Sequence, residues 1–327
     1  MTITVEFNRQ TLPFRTDCFI AGTQCLLSTN SHDILRTASH WRPSTRYACT
    51  SSFEMEIVVD SSRDRTTERA PYFRGLRHLV FAYIPPRSFL AFDLLRRRVH
   101  AVLSNSAARD PFFWNSLLIP ITIGVLGTTV GVAPLHCACL DRGGSGFLVA
   151  GVSGAGKSTL ATALARLGFA LVSDDWTYVS KQQSMLVAYG LSAPIKLLPE
   201  TARFFPELRK FTLKKTLNGE LAYELDPRTS FDFNMKSRSY PRHVFFLERT
   251  PVPGCHVVPC SPEHVSDFFQ RSAERLPDEL PEAQAFRKGI IQNLSAYPSW
   301  ILRTGDSPQI TAQAIDDFLS EAAHATV

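Results

Sequence analysis

Hydrophobic and polar positions change their rhythm partway along the chain. Residues 52–60 read SFEMEIVVD, with polar and apolar side chains alternating, and 78–85 (HLVFAYIP) and 89–95 (FLAFDLL) are further short apolar runs. A period of two puts alternate side chains on one face of a sheet, so these three segments are read as strands. Pro85, Pro86 and Arg87 supply a turn between the last two, and the polar stretch 61–69 (SSRDRTTER) reads as an exposed loop. From Pro111 onward longer helical patterns alternate with short apolar strands, as a sheet flanked by helices requires. Helices are expected at 111–130, 158–167 (closed by Gly168), 262–274, 282–294 and 308–322, and strands at 135–140, 147–150, 169–172, 243–248 and 300–303. The organisation expected is a β-rich N-terminal module over 1–110 and an α/β domain over 111–327.

One run has to be weighed against a membrane. Residues 117–140, LLIPITIGVLGTTVGVAPLHCACL, hold no Lys, Arg, Asp or Glu and are long enough for a bilayer core of about 30 Å. Pro120, Pro134, His136 and several Gly and Thr interrupt the run, and it leads into a glycine-rich loop that needs a strand before it. A buried helix followed by a core strand is therefore expected, and no membrane.

Composition changes this picture little. The 327 residues are 44% hydrophobic and 20% charged, enough for a sizeable core and against a disordered or fibrous chain. Thirty-five basic against thirty acidic side chains leave +5, spread along the chain, which gives no reason to expect nucleic acid as a partner. Seven cysteines (Cys18, Cys25, Cys49, Cys137, Cys139, Cys255, Cys260) form no CxxC pair and are read as reduced thiols of a cytoplasmic protein. The N-terminal stretch MTITVEFNRQTLPFRTD is too polar for a secretory signal.

The chemistry concentrates in a short window. Gly151-Val152-Ser153-Gly154-Ala155-Gly156-Lys157-Ser158 matches the phosphate-binding pattern GxxxxGK[ST] in full, with a strand expected before it and a helix after. In that pattern glycines let successive backbone N–H groups converge on phosphate oxygens, and the helix adds its positive end. Lys157 is the candidate for the β- and γ-phosphates and the Ser158 hydroxyl for Mg²⁺, with Thr159 next in the first turn of the helix. One helix and one strand later comes Ser173-Asp174-Asp175. That short return puts two carboxylates at the carboxyl end of a strand, where open α/β sheets bind ligands. One can hold metal and the other can take a proton from an attacking hydroxyl, although paired Asp residues also serve as caps and turns.

From Leu135 to Val179 the sequence LHCACL…GFLVAGVSGAGKSTLATALARLGFALVSDDWTYV resembles the catalytic core of the HPr kinase/phosphorylase family and its serine-kinase-like relatives. The shared features are a His ahead of the loop, the GxSGxGKS loop itself, the short helix and a return strand ending in two aspartates. The resemblance implies an α/β fold, a P-loop domain of the phosphoenolpyruvate-carboxykinase type following the β-rich module. It also implies ATP cradled by 151–156 and Lys157 with Mg²⁺ on Ser158, either Asp175 or Asp174 as the catalytic base, and His136 near the reacting phosphate; Asp174 is the candidate second metal ligand and Asp175 the candidate base. The family carries a glycine-rich signature around a metal-binding glutamate. Here the corresponding stretch 193–200 reads APIKLLPE, which leaves Glu200 as the candidate ligand. The family's later Pro-Gly-Arg-Asn-like loop is absent, so HPr itself and reverse phosphorolysis are not implied. Lys196, Arg238 and Arg242 are cationic candidates that read more readily as solvated surface. The stretch 203–215 (RFFPELRKFTLKK) could dock an acidic partner or pack Phe204, Phe205 and Phe211 inward, and the inward reading is preferred.

The function expected is ATP-dependent transfer of a phosphoryl group to a hydroxyl, on a protein or peptide serine or a small molecule. The rival is a nucleotide-binding regulatory or assembly module without turnover. A homo-oligomer is left open.

Overall fold

The computed structural model describes residues 12–41, 51–60, 71–85, 88–191, 193–216, 219–251, 253–272, 280–305 and 307–324. The expected loop 61–69, the turn residues Pro86 and Arg87, Cys49, residues 1–11 of the N-terminal stretch and the last two residues of the helix expected over 262–274 lie outside them. Contacts divide the chain into two units, Met1–Pro134 with Glu274–Arg287, and Leu135–Ala273 with Lys288–Val327.

The first unit holds a mixed sheet of seven strands: β1 (Phe14–Ile20), β2 (Thr23–Thr29), β3 (Ser52–Asp60), β4 (Tyr72–Leu76), β5 (Leu79–Ile84), β6 (Ser88–Asp93) and β7 (Arg98–Ser104). Their order is β1-β2-β3-β7-β6-β5-β4. The three strands read from the sequence are β3, β5 and β6. β3 runs parallel to both β2 and β7, and Phe53, Met55 and Ile57 are buried at every second position along it. β4 at the sheet edge is mostly exposed and carries no alternation, so nothing in its pattern marked it. Helix α1 (His32–Ala38) begins where the Ser31 hydroxyl accepts the Asp33 N–H at 3.2 Å. Helix α2 (Asn105–Arg109) follows β7.

Next, α3 (Pro111–Phe113) runs through a π turn (Trp114–Leu118) into α4 (Ile119–Leu126) and a 3₁₀ turn (Gly127–Val130). Pro120 has no N–H to donate, and it stands in the first turn of α4, directly after the π turn, where the stretch stays helical. By length and composition Pro111–Val130 could span a membrane; 61% of its most apolar window is buried. This helix groups with the first unit, so the division falls after Pro134, whereas the change of pattern in the sequence put it at 110/111.

Strand β8 (Ala133–His136) straddles the division, and the second unit contains β9 (Ala138–Arg142), β10 (Ser145–Ala150), α5 (Lys157–Arg166), β11 (Ala170–Ser173), β12 (Trp176–Gln182), β13 (Met185–Tyr189) and β14 (Ile195–Leu197). It continues with β15 (Lys214–Lys215), β16 (Leu221–Leu225), α6 (Pro227–Phe231), β17 (Arg238–Ser239), β18 (Pro241–Arg249), β19 (Cys255–Pro259) and α7 (Pro262–Ser272). Helix α8 (Pro281–Ser295) carries residues of both units, and β20 (Ser299–Thr304) and α9 (Pro308–His324) close the fold. Six strands make the central sheet, in the order β11-β9-β10-β18-β20-β19, with β10, β18 and β20 parallel. A four-stranded sheet (β17-β13-β12-β8) and a three-stranded one (β14-β16-β15) accompany it.

The strand expected over 135–140 is two strands in different sheets, broken at Cys137, whose carbonyl leaves the ladder to accept the Thr177 hydroxyl at 2.7 Å. The core gathers between α5 and the central sheet. Phe147 stands edge-on to both Phe169 and Phe245, with centroids 5.6 Å away in each case, beneath Leu160 and Leu164 of α5. The stretch 203–215 packs inward: Phe205 is buried, and Phe204 and Phe211 lie against the same core.

Gly190, just after β13, shows how tightly the end of β11 is held. A Cβ placed there would stand 1.6 Å from the Val172 carbonyl oxygen. Replacement of Gly190 by Ala is expected to cost at least about 1–3 kcal/mol of stability, because backbone must move to admit the methyl group. Urea unfolding reads the cost, and an unchanged midpoint would contradict this packing.

Candidate functional site

Strand β10 is buried from Phe147 to Ala150 and delivers the chain to the carboxyl edge of the central sheet. There the loop turns back on itself. Gly154 (φ +78°) and Gly156 (φ +100°) occupy left-handed backbone that a side chain would strain, and Gly156 passes directly into α5. No side chain caps the first turn of α5, so its N–H groups remain the polar lining of the loop. The neighbouring strand braces the arrangement: Arg249, at the end of β18, donates Nε–H to the Ala155 carbonyl at 3.0 Å. The Lys157 ammonium folds back over the loop, donating to the Gly151 carbonyl at 3.0 Å and reaching Val152 O at 3.5 Å. Burial lowers its pKa, against the pull of Asp175 and Asp174.

The aspartates sit in the turn between β11 and β12. The Ser173 and Thr177 hydroxyls lie 2.6 Å apart, and Thr177 in turn donates to the Cys137 carbonyl. This chain ties the turn to the break between β8 and β9, and so brings His136 to Asp175. His136 Nε2–H donates to Asp175 Oδ1 at 2.9 Å, and its ring stacks on Trp176 with centroids 5.3 Å apart. Asp174 accepts the Ser158 hydroxyl and the Lys196 backbone N–H, yet its Oδ1 is buried with no hydrogen-bond partner. Burial, then the charge of Asp175, push the Asp174 pKa up to about 7. The Asp175 side chain is exposed, and although partial loss of water works to raise it, the His136 hydrogen bond and the charges of His136, Lys157 and Lys196 hold that carboxyl below the usual range. Two adjacent carboxylates thus have their affinities for a proton driven apart, an arrangement typical of groups with separate duties. Burial raises the Cys137 thiol to about 12, which leaves it neutral beside them.

The fold therefore gathers the loop 151–156, Lys157, Ser158, Asp174, Asp175 and His136 at one sheet edge. Thr159 faces elsewhere, with its hydroxyl 3.4 Å from that of Thr201. Glu200 is exposed in the turn Pro199–Arg203, and among the described residues no group of three or more His, Cys, Asp or Glu joins it to the aspartates. The Lys196 ammonium is paired with Glu220 at 2.6 Å. Arg242 is exposed near the start of β18, and Arg238 lies on β17. Sequence reasoning passed over Arg249; its signal was its place directly after the apolar HVFFLE segment. It read 262–274 as a helix but gave α7 no part in the site. An open cleft of about 920 Å³ runs from His136 and the loop 151–155, past 246–249, to His264, Phe268 and Arg271 on α7.

A hard divalent cation fits what is present. The Ser158 hydroxyl and the unpartnered Asp174 Oδ1 are oxygen donors beside a phosphate-type loop, and Mg²⁺ usually takes only one or two protein oxygens, filling the rest of its shell with phosphate and water.

No family model matches this chain, and no curated protein does. Among solved structures, the Hpr(Ser) kinase/phosphatase from Coxiella burnetii matches over 59% of this chain and 94% of its own, at 12% identity and a TM-score of 0.30. A likeness of that size leaves the reading of the site to its own geometry.

Proposed function

We propose that this chain is an ATP- and Mg²⁺-dependent phosphotransferase that moves the γ-phosphoryl group to a hydroxyl of a protein, peptide or small molecule. The observation that supports it most is geometric: the loop, Lys157 and Ser158 stand at one sheet edge with Asp174, which accepts the Ser158 hydroxyl, and Asp175, which is held by His136 at 2.9 Å. Backbone amides of the loop and the first turn of α5 hold the phosphates. Lys157 exchanges the Gly151 carbonyl for phosphate oxygen, which offsets its burial. Ser158 and Asp174 hold the cation, which when bound neutralises charge on the β- and γ-phosphates. His136 fixes one oxygen of Asp175 and leaves Oδ2 to orient the acceptor hydroxyl. The acceptor oxygen bonds to phosphorus, the bond to the bridging oxygen breaks to give ADP, and the acceptor proton passes to Asp175. A cytoplasmic setting suits both ATP and the buried thiols of Cys137 and Cys139.

The test is transfer of label from γ-labelled ATP to candidate acceptors, with binding followed against pH. A cation and a proton compete for Asp174. With its pKa held near 7, Mg²⁺-dependent ATP binding is expected to weaken as pH falls from 8 to 6, by up to about tenfold per unit below 7. Metal-free tripolyphosphate is expected to lack this dependence. A flat profile for Mg·ATP would remove Asp174 from the metal site. Tight ATP binding without label on any acceptor would leave a regulatory nucleotide-binding module.

A further inference from the structure

The glycine loop lies in the middle of a row. Along the sheet order β11-β9-β10-β18, one edge carries Asp174 and Asp175 after β11, His136 just ahead of β9, the loop after β10, and Glu248 and Arg249 at the end of β18. β9 runs antiparallel to β10 and β18 parallel to it, so these positions share the same edge. The groups suited to a terminal phosphate and its metal, Ser158, Asp174 and Asp175, all stand on the β11 side. A nucleotide whose last phosphate is held there must leave across the loop toward β18.

On that side the open cleft begins, and α7 forms its far wall. His264, Phe268 and Arg271 reach it at spacings of four and three, a single helical face, while Val265 and Phe269 one position along are buried. Phe246 on the floor is buried and takes the His264 ring (centroids 4.9 Å apart, 82°) and the Phe268 ring (5.1 Å, 70°) edge-on, which sets the orientation of both. Arg249 lies between this wall and the loop, its guanidinium tied to Ala155. Fixed aromatic rings bordered by Arg249 and Arg271, continuous with a phosphate-type loop, suit a flat heteroaromatic base carried on phosphates.

We propose that the cleft between the end of β18 and α7 is a nucleoside pocket, in which the base of the nucleotide stacks on Phe268 beside His264. The proposal rests on the phosphate site assigned to the loop. It makes α7, more than a hundred residues beyond the loop, the element that selects the base.

The experiment compares two probes on the full chain, ATP and inorganic tripolyphosphate, each with Mg²⁺. Phe268→Ala is expected to raise the Kd for ATP about tenfold to a hundredfold and to leave that for tripolyphosphate unchanged. Equal losses on both probes, or no loss on either, would overturn the pocket. So would an unchanged ATP affinity with a raised KM for the acceptor, which would make α7 an acceptor wall. Should Phe268→Ala fail to fold, photolabelling of the parent with 8-azido-ATP decides: label within Pro262–Ser272, displaced by ATP, supports the pocket, and label confined elsewhere overturns it. Failure of the loop reading is told apart, because a parent that binds neither probe removes the phosphate site and this pocket with it, whereas a parent that binds tripolyphosphate as tightly as ATP removes the pocket alone.

Discussion

Asp175→Asn is expected to keep Mg·ATP affinity close to that of the parent while slowing phosphoryl transfer by about 10²- to 10⁴-fold, the usual worth of a positioned base. Asn still accepts the His136 Nε2–H, so the turn between β11 and β12 keeps its anchor. It cannot take up a proton. The substitution also removes the negative charge that helps raise Asp174, so the pKa of Asp174 should fall from about 7 toward the ordinary carboxylate range and metal binding should survive at lower pH. Asp174→Asn acts differently, weakening metal-nucleotide binding and transfer together. It should also stabilise the ligand-free fold at alkaline pH. A raised native pKa means that the folded state binds a proton the unfolded state has released, so this group's contribution to stability declines as pH rises from 3.8 through about 7, and the Asn variant escapes that decline. Single-turnover transfer beside equilibrium binding separates the two variants. Parental transfer by Asp175→Asn would refute the base assignment.

Lys157→Ala is expected to weaken ATP binding by about 2 to 4 kcal/mol, roughly 30- to 1000-fold, because it deletes the fixed ammonium aimed at the phosphates. The fold should persist. The two carbonyls that Lys157 serves, Gly151 and Val152, both border the open cleft, so water can replace the lost donor. Because the ammonium is buried and its pKa lowered, part of its cost in the free protein is removed along with it, and the thermal midpoint should change little. Calorimetric titration gives the affinity and circular dichroism the melt. Equal affinity in variant and parent would show that the loop does not carry the phosphate.

Part of the regular structure was legible, although the alternating strands β1 and β2 went unread. The alternation of 52–60 became β3, and the amphipathic patterns near 262, 282 and 308 became α7, α8 and α9 within a few residues. β12, β13, β14 and β16 went unread because they are short and largely buried along their length, so neither period two nor helical spacing distinguishes them. The strand drawn over 135–140 failed for a tertiary reason. It breaks at Cys137, whose N–H turns back to the Leu135 carbonyl and whose own carbonyl accepts the Thr177 hydroxyl, forty residues away.

The sequence by itself determined the local parts of the candidate site. Eight contiguous residues dictate the loop, since two of its glycines must take left-handed backbone, and the return through one helix and one strand places Asp174 and Asp175 beside it. Tertiary structure decided the electrical state of those groups and their surroundings. Identical aspartates at adjacent positions acquire opposite pKa shifts because one is buried against its neighbour's charge and the other is bonded to His136. Arg249 and the α7 face reach the loop only because β18 runs parallel beside β10, bringing residues from 246 to 271 against residues near 153. Such pairings are set by strand order and burial across the whole sheet, and no window of sequence contains them.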